Sequence, residues 1–240
     1  MQTKALDYRD GAVTCKGQLA YDDNHSGRRP GVVLFPEAFG IGEHVVERAR
    51  RLAALGYVAL AADPYGDAAQ ARDLPHALEL MNAVRADLGR WRARARAALD
   101  ALAAQPNVDP GKLHAIGYCF GGSTALELAR SGAALGTVVS FHGGLESPKP
   151  DDAGKIKAKV LVCHGSDDPL IPATQVAAFE EQMRKTQVDW QLHVYGGAVH
   201  SFTNPEAAKA GIPGLAYNEA ADRRSWNVML SLFVEVSGAV

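Results

Sequence analysis

The sequence alternates short apolar runs with longer amphipathic segments along nearly its whole length. The runs at 31–36 and 57–63 each end in turn residues, and the segment between them, 43–56, repeats apolar side chains at helical spacing. Further apolar runs that predict strands lie at 112–117, 137–141, 160–164 and 188–195. Strands that alternate with helices predict an α/β fold, with a mainly parallel sheet and helices on both of its faces.

The predicted helices occupy the intervals between these strands. They cover 43–56, 74–104, 121–131, 174–185 and 219–236, with a break expected near Gly89. The stretch 147–152 is rich in proline and charge and predicts a surface loop. We find no internal repeat or low-complexity tract, and 240 residues is a common length for one α/β unit, so we expect a single domain over residues 1–240.

The formal net charge of −2 offers no electrostatic reason to expect nucleic acid or an anionic membrane as a partner, so the expected partner is a small molecule. The N-terminus lacks the pattern of a signal peptide, and no apolar run is long enough to span a membrane, so we expect a cytoplasmic protein. The sequence has no phosphate-binding loop, dinucleotide fingerprint or zinc-protease motif, so no cofactor and no metal are expected. A monomer and a small homo-oligomer both remain open.

The segment Gly117-Tyr-Cys-Phe-Gly121 follows a predicted strand and opens a predicted helix. This is the context in which a Gly-x-nucleophile-x-Gly elbow has meaning, because a sharp turn leaves no space for Cβ atoms beside a strained residue. Cys119 would project from the start of the helix, where a thiolate is favoured. The alternative is a cysteine buried in the core, which is common for an isolated cysteine.

Two further segments favour the catalytic interpretation of Cys119. Asp168 follows one predicted strand and directly precedes proline, and His200 follows the next strand. Taken singly, such residues are usually turn or surface residues. The order nucleophile, acid, histidine is that of this kind of site, so we predict a Cys119–His200–Asp168 triad, with Asp168 preferred over Asp167.

The sequence from about Gly31 to Val236 resembles the dienelactone hydrolase family. The motifs that carry the resemblance are Pro-Glu-Ala-Phe-Gly at 36–40, Asp-Pro-Tyr-Gly at 63–66, the Cys119 elbow, and the Asp168 and His200 segments. The resemblance implies an α/β-hydrolase fold with a cysteine nucleophile. It also implies that Glu37 holds the resting thiol and takes its proton, and that the backbone N–H groups of Ala38 and Phe120 form the oxyanion hole.

The sequence departs from that family at one position. Members that act on chlorocatechol-derived lactones have an arginine four residues after the catalytic histidine, and this chain has Asn204 there. Other arginines are candidates to replace it: Arg72, Arg85, and the group Arg90, Arg92, Arg94 and Arg96, whose helical spacing is more typical of a solvated face. We also expect Phe39, Tyr65 and His142 to line the substrate pocket, the last two because they lie at strand ends.

A thiolate leaves a tetrahedral intermediate more readily than an ordinary alkoxide does, so a cysteine nucleophile favours substrates with good leaving groups. We therefore predict a hydrolase that cleaves an activated ester or enol lactone through a thioester acyl-enzyme. The alternatives are a general carboxylesterase or thioesterase with the same triad, a redox sensor that uses Cys119, and a binding module that no longer turns over.

Overall fold

The computed structural model describes residues 1–238, in which eight strands form one sheet. The strands are β1 (Gln2–Asp10), β2 (Val13–Tyr21), β3 (Arg29–Phe35), β4 (Val58–Ala61), β5 (Val108–Tyr118), β6 (Thr137–Phe141), β7 (Lys159–Gly165) and β8 (Trp190–Tyr195). Their order across the sheet is β1-β2-β4-β3-β5-β6-β7-β8. The pairs β1–β2 and β2–β4 are antiparallel, and every pair from β4–β3 to β7–β8 is parallel, as predicted.

The connections are mostly helical. The α-helices are α1 (Glu43–Ala54), α2 (Leu74–Arg85), α3 (Leu88–Ala103), α4 (Phe120–Arg130), α5 (Ala173–Arg184) and α6 (Glu219–Ser237). Short 3₁₀ helices lie at Pro150–Lys155 and Ala207–Ala210, the first within the stretch predicted to be a loop. None of the helices within residues 1–238 combines the length and the apolar character needed to cross a membrane.

The segment predicted as one interrupted helix is two helices, α2 and α3. The chain leaves the helical path at Asp87, just before the expected break at Gly89, and the Asp87 side chain accepts a hydrogen bond from Arg90 N at 3.0 Å. Asp73 caps α2 in the same way through His76 N, at 2.9 Å. A carboxylate that accepts an unpaired N–H of the first turn is a strong start signal for a helix.

The β1–β2 hairpin was not expected from the sequence. Most of β1 is exposed, so the segment lacks the apolar run by which the other strands were recognised. Strand pairing joins it to the sheet, where β2 adds to β4 with Gln18 opposite Ala61 and β1 adds to β2, and its buried side chains Tyr8, Cys15 and Leu19 pack in the core. The hairpin therefore extends the sheet at an edge whose residues give little sequence signal.

Two apolar cores lie on opposite faces of the sheet. One contains buried residues of α3, α4 and α5, including Leu99, Leu126 and Phe179. The other contains buried residues of α1 and α6, including Leu52 and Phe233. The prediction of helices on both faces is confirmed, and the central parallel strands are buried on both sides because each face is covered.

The start of α4 packs directly on the carboxyl ends of β3 and β5. A Cβ atom on Gly117 would lie 1.9 Å from Gly121 O, and a Cβ atom on Gly121 would lie 2.0 Å from Phe35 O. No side chain fits between these backbones. The glycines therefore determine how close the helix comes to the sheet.

We expect Gly121→Ala to lower the free energy of unfolding by about 3 kcal/mol, because the added Cβ must displace the backbone of β3. The control is Gly154→Ala, since a Cβ there meets no heavy atom within 4 Å. Urea denaturation of both variants measures the difference. Equal stability of the two variants would contradict the packing argument.

Candidate active site

Cys119 occupies the turn between β5 and α4. Its backbone has φ 54° and ψ −118°, a conformation that residues other than glycine rarely adopt. The turn is held by the Cys119 N–H, which points to both Phe141 O (3.0 Å) and His142 Nδ1 (3.1 Å). The thiol of Cys119 borders a cavity and is partly exposed.

The other two cysteines have a different environment. Cys15 and Cys163 are fully buried, and burial raises the pKa of Cys15 to about 11 and that of Cys163 to about 12. Both therefore remain protonated at neutral pH, as core cysteines do. Cys119 differs from them in being accessible from the cavity.

His200 and Asp168 form a buried pair beside this thiol. His200 Nδ1 lies 2.8 Å from Asp168 Oδ2, and the other carboxylate oxygen accepts the backbone N–H groups of Leu170 (2.8 Å) and Ile171 (3.2 Å). The aspartate thus has a fixed orientation and fixes that of the imidazole. His200 Nε2 is buried next to Cys119 and has no hydrogen-bond partner of normal geometry in the described part of the chain.

Asp168 rather than Asp167 is hydrogen-bonded to His200. The Asp167 carboxylate is exposed and accepts a hydrogen bond from the neighbouring Ser166 hydroxyl at 2.6 Å. The two aspartates are adjacent in the turn after β7, and their side chains point in different directions, that of Asp168 toward His200 and that of Asp167 toward Ser166. The sequence preference for the aspartate that precedes proline agrees with this placement.

The electrostatic environment favours a charged His200. Burial disfavours the imidazolium, but the negative charge of a Cys119 thiolate and the hydrogen bond with Asp168 outweigh it and raise the pKa of His200 to about 10. The imidazolium is therefore retained at neutral pH whenever Cys119 is ionised. A proton on Nε2 is in position to be donated toward the thiol or toward a group bound there.

Glu37 borders the same cavity, but its carboxylate does not contact the thiol in this conformation. Oε1 accepts a hydrogen bond from Ser201 Oγ and Oε2 accepts one from Asn204 Nδ2, each at 2.7 Å, and His44 Nδ1 lies 3.8 Å from Oε2. The role for Glu37 implied by the family resemblance stays a prediction. Asn204, at the position where some relatives have arginine, is a partner of this carboxylate.

The two backbone groups predicted to form an oxyanion hole lie at the cavity wall. The N–H of Ala38 donates no hydrogen bond among the described residues. Phe120 is the first residue of α4, where an N–H has no carbonyl acceptor within the helix. Both groups are therefore available to an acceptor that enters the cavity next to Cys119.

Tyr65 contacts both of these residues, a connection that sequence reasoning missed. Its hydroxyl donates to Ala38 O at 2.7 Å, and its ring stacks on the Phe120 ring with centroids 6.0 Å apart and an interplanar angle of 6°. Trp91 also stacks on Phe120, at 5.6 Å. Tyr65 thus links the loop after β3 to the start of α4.

The turn that carries Tyr65 is organised by Asp63. This buried carboxylate accepts four backbone N–H groups at 2.8–3.0 Å: Lys16, Tyr65, Gly66 and Ala68. It stabilises three successive residues with positive φ, at 97° for Gly66, 51° for Asp67 and 55° for Ala68. The Asp-Pro-Tyr-Gly motif is therefore a compact support for the loop that contains Glu37 and Ala38.

His142 lies behind Cys119 and is only 1% exposed. Its Nε2 is 2.8 Å from Thr203 Oγ1, and burial together with neighbouring positive groups holds the pKa of His142 well below its usual range. A neutral ring with the proton on Nε2 satisfies both contacts, since Nδ1 accepts from the Cys119 N–H. Neither His142 nor Tyr65 is among the residues at the cavity wall, and their place in a substrate pocket stays a prediction.

The cavity has a volume of about 340 Å³. Its wall includes Cys119, His200, Glu37 and the predicted residue Phe39, and the greater part is apolar. Most of that apolar wall was not anticipated from the sequence; it comprises Leu74, Leu78, Met81, Leu170, Ile171, Ala207, Ala210, Ile212 and Leu215. No short motif marks these residues, since they come from α2, the turn after β7, the second 3₁₀ helix and the segment after it.

The arginines considered as partners for a substrate carboxylate differ in whether they border the cavity or pair with an acidic side chain elsewhere. Arg85 borders the cavity. Arg72 lies 3.6 Å from Asp73 at the surface, Arg92 pairs with Glu127 and Asp152, and Arg94 pairs with Asp10. The arginines of α3 are therefore not all solvated surface residues, since Arg92 and Arg94 form partly buried ion pairs.

The chain has a tight strand-to-helix turn after β5, an aspartate after β7 and a histidine after β8, above a mostly parallel sheet. This is the arrangement of enzymes of the α/β-hydrolase fold. A family model described as "Dienelactone hydrolase family" matches residues 16–237. The chain belongs to the dienelactone hydrolase family and is a hydrolase that acts on ester or lactone bonds.

Relatives agree with this assignment. A solved "Dienelactone Hydrolase-like" promiscuous phosphotriesterase from metagenomic libraries is 52% identical, covers 98% of both chains and has a TM-score of 0.94. A second solved structure, m3DLH, is 51% identical with the same coverage and a TM-score of 0.95. A Bradyrhizobium protein named "Probable 2-oxo-3-(5-oxofuran-2-ylidene)propanoate lactonase" is 30% identical over 94% of this chain and 92% of its own length.

We expect His200 to titrate near pH 10 in the wild type and at a lower pH in Cys119→Ser, because the variant removes the thiolate charge that favours the imidazolium. Histidine NMR signals followed against pH measure this. His114, whose pKa burial lowers to about 4, is the internal control and should not change. An unchanged His200 titration in the variant would contradict the proposed coupling.

Proposed function

We propose that this protein hydrolyses activated esters or enol lactones with Cys119 as the nucleophile, His200 as the acid and base, and Asp168 as the residue that orients the histidine. The observation that carries the proposal is the Cys119 thiol at the cavity wall, next to a buried imidazole whose other nitrogen lies 2.8 Å from Asp168. The partner is accordingly a small acyl compound.

Acylation begins with attack of the Cys119 thiolate on the substrate carbonyl carbon. The carbonyl oxygen becomes an oxyanion, which the N–H groups of Ala38 and Phe120 stabilise. The C–O bond to the leaving group then breaks, and the leaving oxygen takes the proton from His200 Nε2. The product of this half reaction is a thioester on Cys119 and a released alcohol or enol; with a lactone, the enol remains part of the acyl group.

Deacylation consumes one water molecule. His200, now neutral, removes a proton from that water as it attacks the thioester carbonyl, and the second oxyanion uses the same two N–H groups. The C–S bond breaks and the acid product leaves. Glu37 takes the proton of a neutral Cys119 thiol at the start of a cycle, which requires its carboxylate to exchange the hydrogen bonds from Ser201 and Asn204 for one to the thiol.

Neutral phosphotriesters are a second candidate substrate class. The 52% identical relative is named as a promiscuous phosphotriesterase, and the apolar cavity wall suits an uncharged triester with an aryl leaving group. Attack of the thiolate at phosphorus with departure of the aryloxide would use the same three side chains. Hydrolysis of paraoxon distinguishes this activity from ester cleavage.

We expect Cys119→Ala to abolish hydrolysis of p-nitrophenyl acetate, because the serine hydroxyls that also border the cavity, those of Ser123 and Ser201, donate to Gly144 O and Glu37 Oε1 rather than to a histidine. The measurement compares wild type and variant on p-nitrophenyl acetate, cis- and trans-dienelactone, an acyl thioester and paraoxon, with mass spectrometry to detect a thioester on Cys119. Cys15→Ala is the matched control, since Cys15 lies in the core. Residual turnover in Cys119→Ala would refute the proposed nucleophile, and the ratio among substrates distinguishes lactonase from esterase or thioesterase.

We expect Tyr65→Phe to lower kcat by about tenfold with little change in KM, because the lost hydroxyl no longer holds the loop that positions the Ala38 N–H. The rate of Cys119 alkylation by iodoacetamide should not change, since that reaction needs no oxyanion hole. Tyr21→Phe, a tyrosine on β2, is the control. Equal loss of kcat and of alkylation would indicate a general structural effect and contradict this role.

A further inference from the structure

The helix α2 presents three large apolar side chains to the cavity. Ala77 is its only buried residue, whereas Leu74 and Leu78 are 39% and 43% exposed and border the cavity together with Met81. Leu170, on another wall, is 52% exposed. Large aliphatic side chains left half exposed around one concave surface mark a place where an apolar ligand is bound.

The opposite wall is also aliphatic. Ile212 and Leu215 lie in the segment after the second 3₁₀ helix, and this segment is joined to the catalytic loop by hydrogen bonds from His200 N to Gly214 O (3.1 Å) and from Ala216 N to His200 O (3.2 Å). The wall therefore has a fixed position relative to His200. An apolar group attached to the reacting carbonyl lies between this wall and α2.

The charges around the cavity disfavour an anionic substrate. Glu37 borders the same cavity as Cys119, and its hydrogen-bond partners Ser201 and Asn204 are uncharged. Near the mouth, Glu206 forms an ion pair with Lys209, and Arg85 lies over the Trp91 ring at 5.7 Å from its centroid. A carboxylate close to the scissile bond therefore faces a like charge at short range.

We infer that the substrate of this site is an uncharged ester or lactone that carries an apolar group of several carbons, and that Leu78 and Met81 of α2 are specificity-determining residues. This inference rests on the proposed function and specifies its substrate class. The apolar group gains affinity by covering leucine side chains that are otherwise in contact with water. A substrate with a carboxylate near the reacting carbonyl lies beside Glu37, and the arginine that borders the cavity, Arg85, has its guanidinium over the Trp91 ring.

The test uses three aryl esters that share one leaving group: p-nitrophenyl acetate, p-nitrophenyl heptanoate and mono-p-nitrophenyl adipate. The last two have similar chain lengths, and only the adipate ends in a carboxylate. We expect kcat/KM for the heptanoate to exceed the values for both other esters by about tenfold. Spontaneous hydrolysis is subtracted for each ester.

The matched variants are Leu78→Ala and Leu55→Ala. Both leucines are about equally exposed, at 43% and 45%, but Leu55 ends α1 and does not border the cavity. Leu78→Ala should reduce the heptanoate-to-acetate ratio of kcat/KM by about fivefold, because it removes part of the apolar wall. Leu55→Ala should leave the ratio unchanged.

Two results would overturn the inference while the proposed function stands. One is Cys119-dependent turnover of the adipate ester equal to or faster than that of the heptanoate; the other is the same heptanoate-to-acetate ratio in Leu78→Ala as in wild type. Failure of the proposed function has a different signature, namely turnover that persists in Cys119→Ala or is absent with all three esters, and that result would overturn the substrate class with it.

Discussion

The close contact between α4 and the ends of β3 and β5 is the constraint on which the rest of the site depends. Because Gly117 and Gly121 have no side chains, the helix begins directly against Phe35 O, and the intervening residue takes a positive φ. That conformation lifts the Cys119 side chain out of the sheet and into the cavity. A bulkier residue at either glycine would separate the helix from the strands and move the thiol away from His200.

The same contact brings the first N–H of α4 next to the loop that follows β3. This loop has no regular structure of its own, and it is held by the Asp63 turn through Tyr65 and by the hydrogen bond from Ala71 N to Phe39 O at 3.1 Å. The buried Asp63 carboxylate accepts four backbone N–H groups, as a helix-capping aspartate accepts those of a first turn. Its role is therefore structural. Rigid support of this kind is what a preorganised oxyanion site requires.

The cavity has two regions with different physical character. Its inner part contains the ionisable groups Cys119, His200 and Glu37, each oriented by hydrogen bonds or by backbone conformation. Its outer part is a surface of aliphatic side chains from α2 and from the segment around Ile212, with few polar atoms. The proposed chemistry therefore depends on directional contacts that tolerate little change, whereas the inferred selection among substrates depends on apolar area, which changes gradually as side chains are exchanged.

The fold class and the placement of Cys119, Asp168 and His200 after buried strands could be predicted from the amino-acid sequence. Apolar runs located the buried strands, because a parallel sheet covered on both faces needs apolar side chains throughout its strands, and the glycines around Cys119 marked the elbow because no other residue fits there. The β1–β2 hairpin was missed, because β1 is mostly exposed and β2 has no continuous apolar run.

Which side chains meet depends on the three-dimensional fold. Phe39 borders the cavity, whereas His142 is almost fully buried and Tyr65 stacks on Phe120 with its hydroxyl on Ala38 O, although all three follow strand ends. Glu37 bonds to Ser201 and Asn204, more than 160 positions away in each case, through contacts created by the order of strands in the sheet. Leu74 and Leu78 border the cavity because of where α2 packs in the folded chain. An amphipathic pattern predicts that a helix has an apolar face, but not what that face will cover.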